Sequence, residues 1–297
     1  MRRDIEFRTE DGITLRGWFY PAKGVKGPAP TVVMAHGFSG VKEMYLDDFA
    51  EFFAEEGIAS LVYDHRNCGA SDGSPRRHLD PRQQIDGYRD AITHAQTLAE
   101  VDPDRIGIWG SSYSGGHVLV VGAIDRRVKC VVSQVPLISG IQSARRFTRS
   151  DHWKMVRAGF DADRAARMRG EEGARIPVTA PEGEPCALST ADSYEFFVGF
   201  TKIKSTDWEN DVTLHSIELS TEYEPGIYVS RISPTPLLFV AAREDHLTPF
   251  DMVAAAYESA LEPKKFLSLP CGHFDAYVGD MFKMSAPVQC DWFKAHL

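Results

Sequence analysis

The stretch RIGIWGSSYSGGHVLV, residues 105–120, holds a group of small polar residues between two apolar runs. The first run, RIGIWG, is typical of a buried strand, and the run from 115 to 124 is typical of a helix. The small residues therefore fall where a strand turns sharply into a helix. On a wound sheet such a turn holds one side chain clear of the strand, and small residues two positions before and after it let strand and helix approach closely.

Ser112 fits the apex of this turn best. Gly110 lies two residues before it and Ser114 two residues after it. Ser111 would put Trp109 at a position that requires a small residue. Ser114 is sterically acceptable but lies farther into the helix, and it remains the rival candidate. A serine that only caps the helix explains a polar residue at this point, but it does not explain small residues on both sides.

Short apolar runs rich in β-branched residues recur along the chain, as expected for strands buried on both faces of a parallel sheet. They lie at 31–37, 58–64, 105–110, 128–134 and 235–242, and a later strand is expected at 264–270. Helical patterns alternate with them, at 45–57, 81–100, 115–124, 249–262 and within 276–296. Earlier, 4–9 and 13–20 alternate around an Asp-Gly turn and predict an antiparallel hairpin. The sequence therefore predicts an α/β fold with a mostly parallel central sheet flanked by helices.

Residues 141–227, called the insertion below, break this alternation. They contain helical fragments at 143–160, 161–170 and 190–200. Because a structureless loop of this length is rare inside a compact domain, we expect a helical cap inserted into a core of residues 1–140 and 228–297. Eight Lys and Arg residues stand against three Asp in 141–170, and three stand against twelve Asp and Glu in 171–228. We interpret these runs as solvated faces of opposite charge.

Composition narrows the class of protein. A chain of 297 residues with 43% hydrophobic and 25% charged residues can bury a large core. The net charge of −9 argues against a nucleic-acid partner. No segment approaches the roughly 18 uninterrupted apolar residues of a membrane span, so we expect no membrane partner and a cytoplasmic location. Five cysteines without a C-x-x-C pair indicate neither a disulfide framework nor a zinc site.

A serine hydroxyl needs a base, usually a histidine oriented by a carboxylate, to act as a nucleophile near neutral pH. In wound sheets the acid and the base follow later strands, at the carboxyl edge where ligands bind. The run at 235–242 leads into Asp245, and the run at 264–270 leads into His273. The sequence therefore predicts Ser112, Asp245 and His273 as catalytic residues.

Other acids and histidines near these positions are weaker candidates. Glu244 precedes the predicted acid, but its longer side chain would have to fold back. His246 and His36 do not follow a late strand at the place that the base requires. Asp275, two residues after the predicted base, is interpreted as a supporting or surface group.

Acyl transfer also needs hydrogen-bond donors for the oxyanion that develops on the substrate. One predicted donor is the backbone N–H of Tyr113, the residue after the predicted nucleophile. The other is the backbone N–H of Phe38, in the loop that follows the first buried strand. Gly37 and Gly40 allow this loop to turn across the edge of the sheet.

Five motifs together carry a family resemblance. They are HGF (36–38), YDHRNCGASDG (63–73), GSSYSGG (110–116), REDHLTP (243–249) and GHFDAY (272–277). As a set they resemble the α/β-hydrolase superfamily, in the branch of the Xaa-Pro dipeptidyl-peptidase-like and dienelactone-hydrolase-related serine hydrolases, which includes polyketide-processing hydrolases and transferases. The resemblance implies the α/β-hydrolase fold with a cap and the triad predicted above. The chain departs from the family in reading G-x-S-x-S where G-x-S-x-G is usual.

The resemblance implies a serine hydrolase that cleaves a carboxylic ester, thioester or lactone of a small-molecule acyl substrate, without a metal or cofactor. An acyltransferase with the same triad, a peptidase and a non-catalytic binding protein are the alternatives. A monomer and a homodimer are both compatible with the sequence. Seven aromatic residues of the insertion are candidates either for lining an acyl pocket or for ordinary packing: Trp153, Phe160, Tyr194, Phe196, Phe197, Phe200 and Trp208.

Overall fold

The computed structural model describes residues 2–203, 206 and 208–297. The strands are β1 (Arg3–Arg8), β2 (Thr14–Tyr20), β3 (Ala29–Ala35), β4 (Ala59–Tyr63), β5 (Val101–Ser111), β6 (Val128–Gln134), β7 (Arg175–Ile176), β8 (Val212–Thr213), β9 (Leu237–Ala242) and β10 (Lys264–Leu269). The α-helices are α1 (Leu46–Glu55), α2 (Pro81–Ala95), α3 (Tyr113–Ile124), α4 (Gly140–Phe147), α5 (Trp153–Met168), α6 (Ala191–Ile203), α7 (Leu214–Glu222), α8 (Phe250–Ser259) and α9 (Gly279–His296).

Eight strands form one sheet in the order β1-β2-β4-β3-β5-β6-β9-β10. In this spatial order, each strand from β4 through β3, β5, β6 and β9 to β10 pairs in parallel with the next. The pairs β1 with β2 and β2 with β4 are antiparallel. The predicted opening hairpin and the predicted mostly parallel sheet are both confirmed. Because these six parallel strands run the same way, their carboxyl ends meet at one edge of the sheet, which is where a ligand site is expected.

Helices cover both faces of the sheet, so successive residues of a central strand enter opposite cores. Val33 and Ala35 of β3 pack with α2 and α3, whereas Val32 and Met34 pack with α1 and α9. Helix α3 is buried from Tyr113 to Ala123, as a helix that is apolar all round must be. Its rigid burial fixes the position of the strand-helix turn that precedes it.

Helix α2 begins where the sequence places a cap and ends earlier than the pattern predicts. The Asp80 side chain accepts the N–H of Arg82, and Pro81 stands at the first helical position. The pattern predicts a helix to residue 100, but the chain turns after Ala95. Val101 is already paired with the first residue of β3. Pairing with the sheet therefore overrides the helical preference of the last turn.

The insertion contains helices α4 to α7 and also one small sheet. Strands β7 and β8 pair antiparallel over two residues each, which the helical pattern did not predict. Such a short pair carries no readable alternation in the sequence. The proposed division into a core and a helical cap stays a prediction, and Lys204, Ser205 and Asp207 of the insertion lie outside the described residues.

Backbone contacts join the two ends of the insertion to each other. The Gly140 N–H donates to the Tyr223 carbonyl at 2.8 Å, and the Gly226 N–H donates to the Ile138 carbonyl at 2.9 Å. A Cβ on Gly140 would lie 2.9 Å from the Tyr223 carbonyl oxygen, so only glycine allows this approach. The chain therefore enters and leaves the insertion through one narrow junction.

An ion cluster attaches the insertion to the loop after β4. Asp211 accepts two hydrogen bonds of 2.8 Å from Arg175 and also pairs with Arg77, which lies in that loop. The Arg175 guanidinium, followed by that of Arg77, lowers the pKa of Asp211 to about 2.

Among the described residues, no helix has the length and apolarity needed to cross a bilayer.

Candidate active site

Ser112 occupies the turn between β5 and α3 in a strained backbone conformation, with φ 58° and ψ −117°. Its N–H donates to the Gln134 carbonyl at 2.9 Å, and its carbonyl accepts the Leu137 N–H at 2.9 Å. A non-glycine residue holds such a conformation only where its surroundings enforce it, and these positions cluster at active sites. The turn places the Ser112 side chain at the carboxyl edge of the sheet.

The glycines beside Ser112 are explained by close approach. A Cβ on Gly110 would lie 2.6 Å from the carbonyl carbon of Ser114. A Cβ on Gly115 would lie 2.8 Å from the Cα of Pro136, in the loop after β6. Larger residues would therefore push α3 away from the sheet and move the Ser112 hydroxyl.

The structure brings Ser112, His273 and Asp245 into one chain of hydrogen bonds. The Ser112 hydroxyl lies 3.1 Å from His273 Nε2, and His273 Nδ1 lies 2.7 Å from Asp245 Oδ2. The His273 and Asp245 side chains are buried. Because an ionised carboxylate can only accept, Nδ1 carries the proton and Nε2 is left to accept the serine proton. The arrangement can therefore transfer a proton from the serine hydroxyl to the imidazole.

Thr248 hydrogen-bonds to the Asp245 carboxylate and so positions it. The sequence motifs did not identify Thr248 as a site residue. Asp245 Oδ1 accepts the N–H groups of Leu247 at 2.8 Å and Thr248 at 2.7 Å. The Thr248 hydroxyl lies 2.8 Å from Asp245 Oδ2 and 2.9 Å from the Val135 carbonyl, and its single proton can serve either acceptor. The pattern Asp-x-x-Thr is typical of an aspartate that bonds to the backbone just after it, so this signal was present in the sequence.

The other serines of the turn are engaged elsewhere. The Ser111 hydroxyl donates to the Tyr277 hydroxyl at 2.6 Å. The Ser114 hydroxyl donates to the His36 carbonyl and lies 2.9 Å from His65 Nε2. Both serine side chains are fully buried. Ser114, the rival candidate, therefore supports the loop after β3 rather than facing the His273 imidazole.

The weaker acid and base candidates also lie outside the hydrogen-bonded chain. Glu244, His246 and Asp275 are exposed. Asp275 accepts the N–H of Gly272 at 2.9 Å and so braces the loop that carries His273.

His36 is a neutral structural residue. Its Nδ1 accepts the N–H of Gly37 at 2.8 Å, and its Nε2–H donates to the Met44 carbonyl at 3.0 Å. Burial lowers the pKa of His36 to about 4, so the ring is uncharged at neutral pH. These bonds fix the loop that contains Phe38.

The two backbone N–H groups that the sequence predicts as oxyanion donors are those of Phe38 and Tyr113. Within the described residues, neither the N–H of Phe38 nor the N–H of Tyr113 has a hydrogen-bond acceptor. The loop that carries Phe38 packs closely against Ser112, because a Cβ on the neighbouring Gly37 would lie 2.7 Å from Ser112 Cβ. The role of both amides as donors to an oxyanion stays a prediction.

The insertion contacts this loop through Trp208. The Trp208 indole N–H donates to the Ser39 hydroxyl at 3.2 Å. The same indole stacks on Phe197 with ring centres 5.1 Å apart. Since Phe197 also lines the cleft described next, one aromatic contact connects the cleft wall to the residue after Phe38.

A cleft opens above Ser112 and His273, between the sheet edge and the insertion. Its volume is about 770 Å³, including the open mouth. Apolar side chains form most of the wall, and these are Phe38, Leu137, Ala144, Phe147, Ala187, Leu188, Phe197, Ile217, Leu247 and Phe274. Of the seven insertion aromatics considered from the sequence, Phe197 is the one that lines this cleft in the described chain.

Within the described residues of the chain, no group of three or more His, Cys, Asp and Glu side chains could hold a metal ion.

This chain is similar in sequence and in fold to known proteins. A family model described as alpha/beta hydrolase fold matches residues 30–280. A thiohydrolase from Eupenicillium brefeldianum is 33% identical over 99% of this chain and 94% of its own. The polyketide transferase grgF from Penicillium sp is 34% identical over 100% of this chain and 97% of its own. The crystal structure of alpha/beta hydrolase GrgF from Penicillium sp. sh18 superposes with a TM-score of 0.87 at 31% identity, covering 100% of this chain and 99% of that one.

Proposed function

The chain belongs to the α/β-hydrolase superfamily, and from this premise we propose that it is a serine hydrolase that cleaves a carboxylic ester, thioester or lactone. The observation that carries the proposal is the hydrogen-bonded chain from Ser112 through His273 to Asp245, at 3.1 and 2.7 Å. It lies at the floor of a largely apolar cleft. A nucleophile, a base and an orienting carboxylate in this order are what acyl transfer to serine requires.

In the first step His273 Nε2 takes the proton of the Ser112 hydroxyl while the serine oxygen attacks the acyl carbon. The carbonyl double bond becomes a single bond, and its electron pair moves to the oxygen. The Phe38 and Tyr113 amides donate to this oxyanion. Asp245 stabilises the imidazolium that forms, because it accepts the Nδ1–H in a site screened from water.

The tetrahedral intermediate then collapses and the leaving group departs. His273 Nε2–H gives its proton to the alkoxide or thiolate, and the acyl group remains bonded to Ser112. Water enters, loses a proton to His273 and attacks the acyl carbon. Collapse of the second intermediate releases the carboxylic acid and returns the proton to Ser112. Groups of this chain, the substrate and water carry every proton and electron pair in these steps.

The cleft favours an apolar acyl group. Side chains of the insertion, including Phe147, Leu188 and Ile217, face the side chains of the sheet edge across it. We propose that the insertion acts as a cap that excludes water from the acyl chain. The relative called a thiohydrolase supports a thioester among the substrates.

Acyl transfer is the second candidate function. A relative that matches this chain over its full length is called a polyketide transferase. The same acyl-enzyme serves both reactions, and the outcome depends on whether water or an alcohol or amine attacks it. The two reactions therefore share the triad and differ in the second substrate.

A fluorophosphonate probe tests the nucleophile. We expect the folded wild type to be labelled at Ser112, with no label in the heat-unfolded protein or in Ser112→Ala. We also expect hydrolysis of p-nitrophenyl esters and of acyl thioesters, with kcat lowered by about 10⁴-fold or more in Ser112→Ala. Labelling at Ser111 or Ser114 instead would contradict Ser112 as the nucleophile, whereas no labelling of the folded protein would contradict the enzyme and leave a binding protein.

Three further assays separate the related activities. Turnover of aminoacyl-anilides in place of esters would indicate a peptidase. Adding hydroxylamine or an alcohol should intercept the acyl-enzyme. Product that partitions to the added nucleophile at low concentration, in preference to water, would favour the transferase.

A further inference from the structure

The wall of the cleft contains a buried hydroxyl that nothing in the structure satisfies. Ser143, on α4, is 2% exposed, and its Oγ has no hydrogen-bond partner among the described residues. A helical serine usually donates to the carbonyl four residues earlier. Here the Ser139 carbonyl accepts the Ser143 N–H at 3.1 Å, but it does not bond to the Ser143 hydroxyl. A buried polar group without a partner is uncommon and requires a specific explanation.

Ser143 is one of several hydroxyl-bearing residues in the cleft wall. The wall also includes Ser220 and Thr221 of α7, which packs against α4, and the ring of Tyr113. The Thr221 hydroxyl already donates to the Glu218 carbonyl at 2.7 Å. The Tyr113 hydroxyl is buried near that of Ser220 but makes no hydrogen bond of ordinary geometry to it. Ser143 and Tyr113 therefore both belong to the cleft wall, and each has a buried hydroxyl without a hydrogen-bond partner among the described residues.

The charge of the wall restricts what these hydroxyls can bind. No Asp, Glu, Lys or Arg is found among the described residues that line the cleft. A carboxylate or an ammonium group would enter it without a counter-charge, at a large cost in desolvation. A neutral oxygen carries no such cost. A serine hydroxyl can donate to a ketone oxygen or accept from a hydroxyl group.

We infer that Ser143, assisted by Tyr113, forms a subsite for a neutral oxygen on the acyl chain, so that the substrates are oxo- or hydroxyacyl esters or thioesters rather than plain fatty acyl ones. The inference rests on the proposed function, because the same cleft holds Ser112 and His273. It adds a specificity-determining residue on the insertion to the catalytic groups on the sheet. A site with a buried hydroxyl discriminates against the analogue that leaves this hydroxyl unpaired.

A matched set of thioesters tests the subsite. The probes are N-acetylcysteamine thioesters of octanoic acid, unsubstituted or with one oxo group at carbon 3, 5 or 7. In the wild type we expect one oxo isomer to exceed the plain octanoyl thioester in kcat/KM by about tenfold, the value of one neutral hydrogen bond. In Ser143→Ala we expect this ratio to fall to within about twofold of unity.

Ser285→Ala is the matched control. It removes another buried hydroxyl without a partner, on α9 and outside the cleft. We expect it to keep the wild-type ratio, because it also removes one buried hydroxyl without a partner but leaves the wall intact. A ratio that is the same in the wild type and in Ser143→Ala overturns the subsite. A wild type that prefers no oxo isomer does so as well.

Binding to the Ser112→Ala variant separates the subsite from the reaction. Calorimetry on this variant measures the Kd of the oxo and plain thioesters without turnover. A preference for one oxo isomer that Ser143→Ala abolishes supports the subsite even if the wild type hydrolyses nothing, in which case only the proposed function fails. Hydrolysis and Ser112 labelling without any oxo preference refute the subsite alone.

Discussion

Gly37→Ala tests the close approach between the loop after β3 and the nucleophile. The backbone of Gly37 has a negative φ, so alanine is compatible with it and the effect is one of space. The added Cβ would lie 2.7 Å from Ser112 Cβ and 3.0 Å from the Ser111 carbonyl oxygen. Carbon atoms in contact normally stay about 3.5 to 4.0 Å apart. One side of the contact must therefore move by about 1 Å.

Either movement damages the reaction. Displacing Ser112 lengthens its hydrogen bond to His273, and displacing the loop moves the Phe38 amide away from the oxyanion. A misplacement of about 1 Å in a reacting group costs about 100-fold in rate, which corresponds to about 2.7 kcal/mol. We expect this loss in kcat for p-nitrophenyl esters, with KM nearly unchanged because most of the cleft wall lies elsewhere. Overpacking should also lower the free energy of unfolding in urea by about 1 to 3 kcal/mol.

Gly199→Ala is the control for this experiment. A Cβ on Gly199, in α6, meets no atom within 4 Å. We expect wild-type kcat and an increase in stability of about 0.5 to 1 kcal/mol from the better helix former. If Gly37→Ala keeps more than about a third of the wild-type kcat with an unchanged urea midpoint, the steric argument is wrong.

Three further substitutions test other contacts. Thr248→Val removes the hydroxyl beside the Asp245 carboxylate, and we expect kcat to fall by about tenfold in steady-state hydrolysis. Trp208→Phe keeps an aromatic ring but loses the N–H that bonds to Ser39, and we expect about a fivefold fall in kcat at constant KM. Asp211→Asn removes the carboxylate whose pKa is lowered to about 2. Because this half-exposed group is partly screened by solvent, we expect a loss of about 1 kcal/mol in the free energy of unfolding at pH 7.

Each of these substitutions has a control. Thr248→Ser keeps the hydroxyl and should restore most of the rate, so equal losses in both variants would exclude the hydrogen bond as the cause. Ser39→Ala should reproduce the effect of Trp208→Phe. The stabilising effect of Asp211 is complete above the unfolded pKa near 3.8 and disappears as the pH falls towards 2, because the folded pKa lies below the unfolded one. A stability difference that is as large at pH 2 as at pH 7 would contradict the assignment to charge.

The centre of the fold could be predicted from the sequence because β3, β4 and β9 are buried on both faces along nearly their whole length. Each therefore appears as a mostly apolar run, and the helices between the strands separate these runs clearly. The insertion gives a weaker pattern. Helix α5 buries only Phe160 and Asp163, so most of its positions are free of any constraint on polarity. The pairing of β7 with β8 leaves no sequence signal at all.

Ser112, Asp245 and His273 could be identified as candidates from the sequence because they occupy fixed places at strand ends, in the order that the sheet requires. The cleft wall could not. Ser143 lies in a helix that begins with an ordinary serine cap, and nothing local distinguishes it from a serine facing solvent. Its importance depends on the packing of α4 against α7, residues far apart in sequence. Side chains that become partners only through such packing are outside the reach of periodicity.

The narrow junction at Gly140 and Tyr223 has a consequence for how this chain diversifies. None of the described residues between these two points pairs with a strand of the main sheet. Ser112, Asp245 and His273 lie outside this stretch, whereas the cleft wall takes side chains from inside and outside it. A graft of the corresponding segment from a relative, joined at these two positions, should therefore transfer the part of the acyl preference that this stretch determines, while the groups proposed for hydrolysis stay in place.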